Sequence, residues 1–318
     1  MNFYFAPLEG ITGYIFRNAY NAFFPCIDKY FTPFLSPNQN RALSPKEMKD
    51  ILPKHNEGMY VVPQILTNNA EHFVRAAKEL KEEYGYHEVN LNLGCPSGTV
   101  VAKGKGAGFL AKHEELDAFF EQVFEASDLK ISVKTRIGKE SPEEFYGLMH
   151  IFNKYPFHEL IVHPRIQTDY YNNTPNKEMF GYAISASRNP LCYNGDIVTK
   201  QDYRQLCEEF PQINSVMLGR GLLRDPSLIE KIKGESGTDK GHLKAFHDKL
   251  YADYKEAFAG DVHLLFKMKE LWFYMIHMFP EGEKYLKKIR KASRLCDYEE
   301  IVGRLFREQE IEQGMYYR

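Results

Sequence analysis

The 318-residue chain has few cysteines, and their spacing argues against two common uses of this residue. There are five, an odd number, and no two of them form a CxxC pair. A disulfide framework needs an even, dense set, and zinc sites usually take ligands from CxxC pairs. The pattern therefore favours free thiols in a reducing compartment. The cysteines are Cys26, Cys95, Cys192, Cys207 and Cys296.

Long apolar runs are also missing. No stretch reaches the roughly 18 apolar residues of a membrane span. The opening MNFYFAPLEG has neither the basic segment nor the apolar run of a signal peptide. We therefore expect a cytoplasmic protein that does not interact with membranes.

Neither sign of charge is in excess, because 41 Lys and Arg oppose 43 Asp and Glu. A polyanionic partner would need a local basic patch, since the overall charge provides no attraction. Apolar residues make up 43% and charged residues 26%, which excludes disordered and collagen-like chains.

Short apolar segments rich in β-branched and aromatic residues alternate with helical patterns over most of the chain. Because no GxGxxG follows the first strand, the alternation predicts a (β/α)8 TIM barrel rather than an open doubly wound sheet. The eight predicted strands are 3–6, 29–31, 60–65, 88–91, 131–134, 160–163, 191–194 and 215–218. The predicted helices between them include 70–84, 114–126, 142–155, 177–187 and 200–209.

A polar, glycine-rich segment, GESGTDKG, follows Lys233 and has the composition of a linker. Helical patterns fill the chain beyond it. We therefore predict an α/β protein with a catalytic barrel at residues 1–235 and a C-terminal helical domain at residues 240–318. The predicted helices of this domain are 242–258, 262–279, 282–293 and 298–312.

Polar residues follow the predicted strands, at the end of a barrel where catalytic groups lie. The loops at 194–196 and 219–221 suit a phosphate site, because glycine permits close approach of the backbone and Arg220 adds a charged donor. Lys134 and Arg136 stand two apart and so share a face of their strand. Two such cations favour a bound anion, for which a reduced flavin is suitable. The alternative is that Lys134 reaches solvent beside a carboxylate.

Cys95 lies in a glycine-rich loop after the fourth predicted strand. Free cysteines are usually buried and inert, and we expect this state for the other four. At a strand end, however, a thiol can meet the substrate as an acid or a nucleophile. Cys95 is therefore the candidate catalytic residue.

Taken together, these motifs resemble the flavin-dependent tRNA-dihydrouridine synthase family. The matching segments, in family order, are APLEGIT from residue 6 with Phe16 and Arg17, NLGCP from 92, VKTRIG from 133, HPR from 163, NGDI from 194 and MLGRG from 217. The tail around residues 267–294 also resembles the family's C-terminal domain. Leu8, Gly13 and Asn90 depart from the family pattern, and residues 166–171 match it only in part.

The resemblance implies a reductase that converts uridine in tRNA to 5,6-dihydrouridine, with FMN as cofactor and NADPH as reductant. Hydride would pass from the flavin to C6 of uracil, and Cys95 would protonate C5 as the general acid. Asn92 would face flavin and uracil, while Arg136 and Arg165 would contact RNA or uracil. The residues implied for FMN are Pro7, Leu8, Gln64, Lys134, His163, Asn194, Gly195, Asp196, Gly219 and Arg220. No metal site is expected.

A target base must leave its stack to reach a barrel mouth, which requires an RNA-holding surface outside it. Residues 284–294 contain six cations and no acid, and are the best candidate for that surface. Its proposed contacts are Lys287, Lys288, Arg290 and Lys291, and Lys103 and Lys105 near Cys95 could add others. The alternative is a merely solvated helix face. We expect a monomer whose partner is tRNA or another structured RNA.

Two other functions remain open at this point. A flavin-dependent barrel enzyme that acts on a small molecule would keep the phosphate loops but would need no basic helix. A catalytically inactive RNA-binding relative would keep the basic helix without bound flavin.

Overall fold

The structure is a computed structural model that describes residues 1–312 of the chain. Strands and helices alternate through the first two thirds of it, and helices alone make up the remainder. The strands in the described residues are β1 (Asn2–Phe5), β2 (Lys29–Phe31), β3 (Val61–Val62), β4 (Gln64–Ile65), β5 (Glu88–Leu93), β6 (Lys130–Gly138), β7 (Glu159–Ile166), β8 (Leu191–Asn194) and β9 (Ser215–Leu218).

The strands form one parallel sheet in the order β3-β2-β1-β9-β8-β7-β6-β5-β4. β3 and β4 belong to a single extended segment divided at Pro63, which has no N–H to donate. β3 pairs with β2 and β4 pairs with β5, so this segment joins the two ends of the sheet. The predicted (β/α)8 barrel is confirmed, although the segment predicted as one strand at 60–65 is two short strands.

Fourteen α-helices lie in residues 1–312, and the last four confirm the predicted helical C-terminal region. They are α1 (Tyr14–Phe23), α2 (Pro45–Ile51), α3 (Ala70–Glu82), α4 (Gly98–Val101), α5 (His113–Ala126), α6 (Glu144–Phe152), α7 (Lys177–Ala186), α8 (Lys200–Glu209), α9 (Arg220–Arg224), α10 (Leu228–Lys233), α11 (Lys240–Ala257), α12 (Asp261–Met275), α13 (Gly282–Lys291) and α14 (Leu295–Glu308). Single 3-10 turns occur at Pro53–His55, Gly106–Phe109, Gln167–Asp169 and Ile276–Met278.

Side-chain caps fix the start of several helices. Asn69 accepts a hydrogen bond from the backbone of His72 at 2.8 Å before α3, and Asp239 does the same for His242 before α11. Ser44 and Glu47 form a reciprocal capping box at the start of α2. Each of these side chains satisfies a backbone N–H that has no partner within its helix.

The chain divides into two compact units, each assembled from several segments. The first contains residues 1–9, 28–196 and 210–217, and so holds the barrel strands and helices α2 to α7. The second contains residues 10–27, 197–209 and those from 218 onward, with α1 and α8 to α14. The domain boundary at residues 235–240 remains a prediction.

The first unit contains a buried apolar cluster against which Leu8 packs. This cluster consists of Tyr4, Ala6, Phe31, Val62, Ile161, Cys192 and Met217. In the second unit the core contains a polar contact, because Trp272 donates to the hydroxyl of Tyr298 at 2.8 Å. That hydroxyl also pairs with His247 at 2.7 Å, so these buried polar groups satisfy one another.

Within residues 1–312, no helix combines the length and the apolar character that crossing a bilayer requires.

Candidate functional site

Three neighbouring strands extend further than the sequence pattern predicts, and their ends build one part of the barrel rim. β5 runs to Leu93, β6 to Gly138 and β7 to Ile166, two to four residues beyond the predicted ends. Asn92, Arg136 and Arg165 therefore lie inside strands rather than in the loops that follow. The register of β6 against β7 shifts between Arg136 and Gly138. Such bulges are frequent at barrel rims and beside active sites.

A chain of amide side chains crosses β4 and β5. Gln64 donates to Asn90 at 2.8 Å and accepts from Asn92 at 2.7 Å, while Asn90 donates to Ser132 at 3.0 Å. All four residues are buried, so these bonds hold each side chain in one orientation.

Asn92 shapes the Cys95 loop, which we define as residues 94–97. Its side-chain oxygen accepts the backbone N–H of Gly94 at 3.0 Å and that of Cys95 at 2.9 Å. Its amide nitrogen donates one N–H to Gln64, and the second remains available for a ligand. Asn92 is thus placed both to hold the loop and to contact a bound molecule.

The Cys95 thiol is partly buried, and this burial raises its pKa above the ordinary cysteine value. A hydrogen bond from the backbone of Ser97 and the positive charges of Arg136 and Lys134 oppose the rise without cancelling it. The thiol is therefore protonated at neutral pH. A protonated thiol can donate a proton, as a general acid must.

Lys134 is the register partner of Asn92 on the adjacent strand. Burial is the main cause of the lowering of its pKa to about 8, and the charge of Arg136 adds to it. Among residues 1–312 no group accepts a hydrogen bond or ion pair from its ammonium. The predicted alternative, a neighbouring carboxylate, is therefore not present in the described structure. An unpaired cation that burial has partly removed from water provides a site for an anionic ligand.

Arg136, predicted to contact RNA or uracil, is fully buried and donates to three backbone carbonyls. The acceptors are the carbonyls of Gly94 at 3.0 Å, Ile166 at 2.7 Å and Tyr170 at 2.6 Å. Its guanidinium therefore joins the Cys95 loop to the segment that follows β7.

His163 and Arg165 form a second cluster on β7. The guanidinium of Arg165 contacts Nε2 of His163 at 3.0 Å and makes a two-pronged ion pair with Asp196. Because a guanidinium can only donate, His163 accepts through Nε2 and carries its ring proton on Nδ1. Asp196 thus fixes the orientation of two residues on the neighbouring strand.

The glycines of the two predicted phosphate loops lie directly after strands. A Cβ on Gly195 would lie 2.2 Å from the hydroxyl of Tyr193, so the loop after β8 has no room for a side chain there. Asn194 donates to the carbonyl of Met217 at 2.8 Å and holds the end of β8 against β9. In the second unit, Gly219 precedes α9 and Arg220 is its first residue.

The remaining predicted residues lie on accessible parts of the chain. Pro7 follows β1, Lys103 is exposed after α4, and Lys105 is half-buried. On α13, Lys287, Lys288, Arg290 and Lys291 are all exposed, while Tyr285, Leu286 and Ile289 are buried. In the described part of the chain these four cations have no acidic partner within 4.0 Å. Sequence reasoning missed the packing of Tyr171, whose ring centroid lies 5.3 Å from the guanidinium carbon of Arg136.

Comparisons with known proteins find a matching family model and several relatives. The family model described as "Dihydrouridine synthase" matches residues 4–313. A Staphylococcus epidermidis protein named "Probable tRNA-dihydrouridine synthase" is 29% identical over 79% of this chain and 78% of its own length. A "tRNA-dihydrouridine(16) synthase" from Vibrio vulnificus is 27% identical over 95% and 96%, respectively.

Solved structures support the fold alone, because their sequence identity is low. The old yellow enzyme from Trypanosoma cruzi superimposes with a TM-score of 0.55 at 10% identity, covering 80% of this chain and 94% of its own. Histamine dehydrogenase from Rhizobium sp. 4-9 gives the same TM-score at 11% identity, over 80% of this chain and 48% of that one. Both superpositions are consistent with the barrel.

Proposed function

The chain belongs to the dihydrouridine synthase family of flavin-dependent oxidoreductases, and on this basis we propose that it reduces uridine to 5,6-dihydrouridine in tRNA. FMN is the proposed flavin, NADPH its reductant and Cys95 the general acid. The five free cysteines fit the reducing cytoplasm that we propose as its location.

The unpaired ammonium of Lys134 is the observation that carries the flavin assignment. Lys134 is the register partner of Asn92, whose second amide N–H is also available, and together they offer a charge and a donor to a planar anionic ring. When bound and reduced, the flavin supplies the hydride that adds to the uracil ring. On the basis of the family resemblance we assign its phosphate to His163, to backbone N–H groups of Asn194, Gly195 and Asp196, and to Gly219 and Arg220.

Cys95 suits the second half of the reaction. Hydride addition to an enone leaves negative charge on the ring, and an acid that protonates the adjacent carbon lowers the barrier. The thiol is protonated at neutral pH, and Asn92 holds the backbone on which it is carried. The Cys95 thiol therefore holds the proton that it would donate, and its backbone is held in position.

The decisive experiment for the proposed function uses unmodified tRNA, the purified protein, FMN and NADPH. We expect the appearance of dihydrouridine, detected as a gain of two hydrogens per modified nucleoside by mass spectrometry. A folded protein that retains flavin but leaves tRNA unchanged, while it reduces small enones, would instead indicate a small-molecule reductase. A folded protein that binds tRNA but cannot take up FMN would indicate an inactive RNA-binding relative.

Replacement of Lys134 tests the cofactor site directly. At pH 7, where the ammonium is charged, Lys134→Met is expected to weaken FMN binding by about 10- to 150-fold, the usual worth of a hydrogen bond to a charged group. Flavin absorbance during titration of the apoprotein measures the change. Lys130→Met on the exposed end of the same strand is the matched control and is expected to bind FMN normally. Equal affinity in the two variants would contradict the assignment.

The basic face of α13 is the proposed RNA surface, and its test depends on salt. Replacement of Lys287, Lys288 and Lys291 by Gln should weaken tRNA binding and reduce the slope of log affinity against log salt by about 0.7–0.9 for each lost phosphate contact. The control carries the same charge change at the exposed lysines Lys46, Lys49 and Lys54. If both triple variants lose the same affinity, the effect is one of overall charge and α13 is a solvated face.

A further inference from the structure

Helix α12 exposes large apolar side chains of a kind that packed helices usually bury. Phe266 is 68%, Val262 62% and Phe273 50% accessible to solvent. All 23 phenylalanines of the chain lie in residues 1–312, and the others are buried or half-buried. Single exposed apolar residues are common, but a group of them on one helix is typical of an interaction surface.

The three exposed side chains lie on one line along the helix. With 3.6 residues per turn, Val262, Phe266 and Phe273 fall within about 40° of one another around the helix axis. The opposite face packs into the core of the second unit through Leu264, Leu265, Met268, Leu271, Trp272 and Met275. Because this packing fixes the rotation of α12, the three side chains are held outward.

Two opposite charges, Lys269 and Glu270, lie between the two exposed phenylalanines. Lys269 donates to the carbonyl of Ala292, and its ammonium lies 5.9 Å from the ring centroid of Phe266. An ammonium has three donors, and among residues 1–312 no acid lies within 4.0 Å of this one. Glu270 pairs with Lys267 and remains 42% exposed. Both charges can therefore make a further contact.

The order of these residues is symmetrical about the point between the two charges. We call Val262, Phe266, Lys269, Glu270 and Phe273 the α12 stripe. Phe266 lies three positions before Lys269, and Phe273 lies three positions after Glu270. When two such helices pack antiparallel about a twofold axis, Phe266 of each copy meets Phe273 of the other, and Lys269 of each meets Glu270 of the other. Each favourable contact then occurs twice.

The balance of charge favours a second copy of the chain over RNA as the partner. RNA-binding surfaces have an excess of cations that contact phosphates, whereas the α12 stripe has one cation and one anion. A second copy offers each charge its opposite and removes four phenylalanine side chains from water. In a parallel pair in register, Lys269 would face Lys269 and Glu270 would face Glu270, so the charges also favour the antiparallel arrangement.

We propose that the chain forms a weak homodimer through the α12 stripe, with the two α12 helices antiparallel. The exposed His277, seven positions after Glu270, would lie opposite Val262, which is seven positions before Lys269. One helix from each copy buries less than the roughly 1,200 Å² of a standard interface, so we expect a dissociation constant of about 1–100 µM. Such a dimer departs from the monomer that the sequence led us to expect, and it does not depend on the proposed function.

The first test measures the mass of the full chain by sedimentation equilibrium over a range of concentrations. Between about 1 and 500 µM, the average mass should rise from that of one chain toward that of two. Phe266→Gln/Phe273→Gln should weaken self-association by about 100-fold or more, because two large apolar side chains per copy no longer leave water. Tyr146→Gln is the matched control, since Tyr146 is 46% exposed but lies on α6.

Three results of this experiment would overturn the dimer. The first is a wild type that remains a single chain at every concentration. The second is a doubly substituted variant that associates as the wild type does. The third is a wild type that stays monomeric while Phe266→Gln/Phe273→Gln lowers its affinity for tRNA, which would assign the α12 stripe to the RNA surface.

Charge reversal tests the antiparallel arrangement. Lys269→Glu or Glu270→Lys alone places like charges opposite each other twice, and should weaken self-association by about 5- to 30-fold. An equimolar mixture of the two variants should recover wild-type association, because every facing pair in the mixed dimer is again one lysine and one glutamate. Lys269 also bonds Ala292, so circular dichroism checks the fold, and mixing would not rescue a misfolded chain. Variants that associate normally alone, or a mixture that does not recover, would contradict the antiparallel pairing.

Discussion

Cys95→Ala is expected to slow uridine reduction by about 10²–10⁴-fold, the usual contribution of a general acid, while NADPH still reduces the bound flavin. The reason lies in the order of events. The thiol acts on the substrate ring as hydride arrives, and it takes no part in the preceding reduction of the cofactor. Single-turnover kinetics with pre-reduced enzyme and tRNA, compared with stopped-flow reduction of the flavin, measure the two halves separately.

The pH dependence provides a second signature of the same residue. Burial raises the pKa of Cys95, so the donating form is fully present at neutral pH and is lost only as alkali removes the thiol proton. Wild-type turnover should therefore fall at alkaline pH, and this alkaline limb should be absent from the residual activity of Cys95→Ala. The expectation that Cys296 is buried is wrong, because it is exposed on α14; Cys296→Ala is therefore the control and should match wild type. Near-normal turnover in Cys95→Ala with saturating tRNA would remove the acid role.

The barrel itself could be predicted from the sequence because its signals are local. Apolar segments of strand length recur between helical patterns, and strands β2, β8 and β9 begin and end at the predicted residues. Propensity and periodicity are sufficient where the chain alternates regularly between the two.

The rim could not be predicted in the same way. Polar residues such as Asn92, Arg136 and Arg165 interrupt the apolar pattern, so the predicted strands end too early. In the structure these residues remain in strands because their polar groups bond to neighbouring strands and loops, which a sequence pattern does not reveal. The positive φ of Tyr170, +49°, could not be predicted either, because no glycine in the sequence marks this position.

The sequence also does not reveal which segments of the chain make up each of the two units. Helix α1 lies in the second unit with α11, from which it is separated by more than two hundred residues. The contact is an aromatic one, in which Phe16 and Tyr20 meet Phe246 edge-on with centroids 6.1 and 6.3 Å apart. Aromatic pairs of this kind depend on the tertiary fold, and any of these rings could equally have belonged to the barrel core.

The end of the barrel where the strands begin contains a buried ionic cluster. Lys29 bonds both carboxylate oxygens of Glu88 at 3.0 and 3.1 Å, and lies 3.9 Å from Glu159. Tyr4 donates to Glu159 at 2.9 Å, and Tyr60 donates to Glu88 at 3.0 Å. One oxygen of Glu159 has no hydrogen-bond partner, and burial, the largest influence, raises the pKa of this carboxyl. Lys29 thus lies within 4.0 Å of both buried acids, and His158 lies 3.7 Å from Glu88.

Lys29→Met is therefore expected to destabilise the protein by about 3–5 kcal/mol, the usual cost of removing one partner from a buried ion pair. The methionine fills similar volume, so the loss reports the two carboxylates left without a cation. Urea unfolding at pH 7.5 measures it. Lys78→Met removes an exposed pair with Glu82 and should cost at most about 1 kcal/mol.

The loss of stability in Lys29→Met should depend on pH, and the pKa of Glu159 sets the direction of that dependence. Because the folded-state pKa of Glu159 is raised, folding favours its protonated form, and the associated stability is present at low pH and lost as pH rises through that pKa. Without Lys29 the repulsion between the acids raises it further. The deficit of Lys29→Met should therefore be largest above neutral pH and shrink toward pH 5, and Lys29→Met/Glu88→Gln should recover much of it. A deficit as small as that of Lys78→Met would mean that water already screens these carboxylates. A deficit that grows in acid would contradict the raised pKa of Glu159.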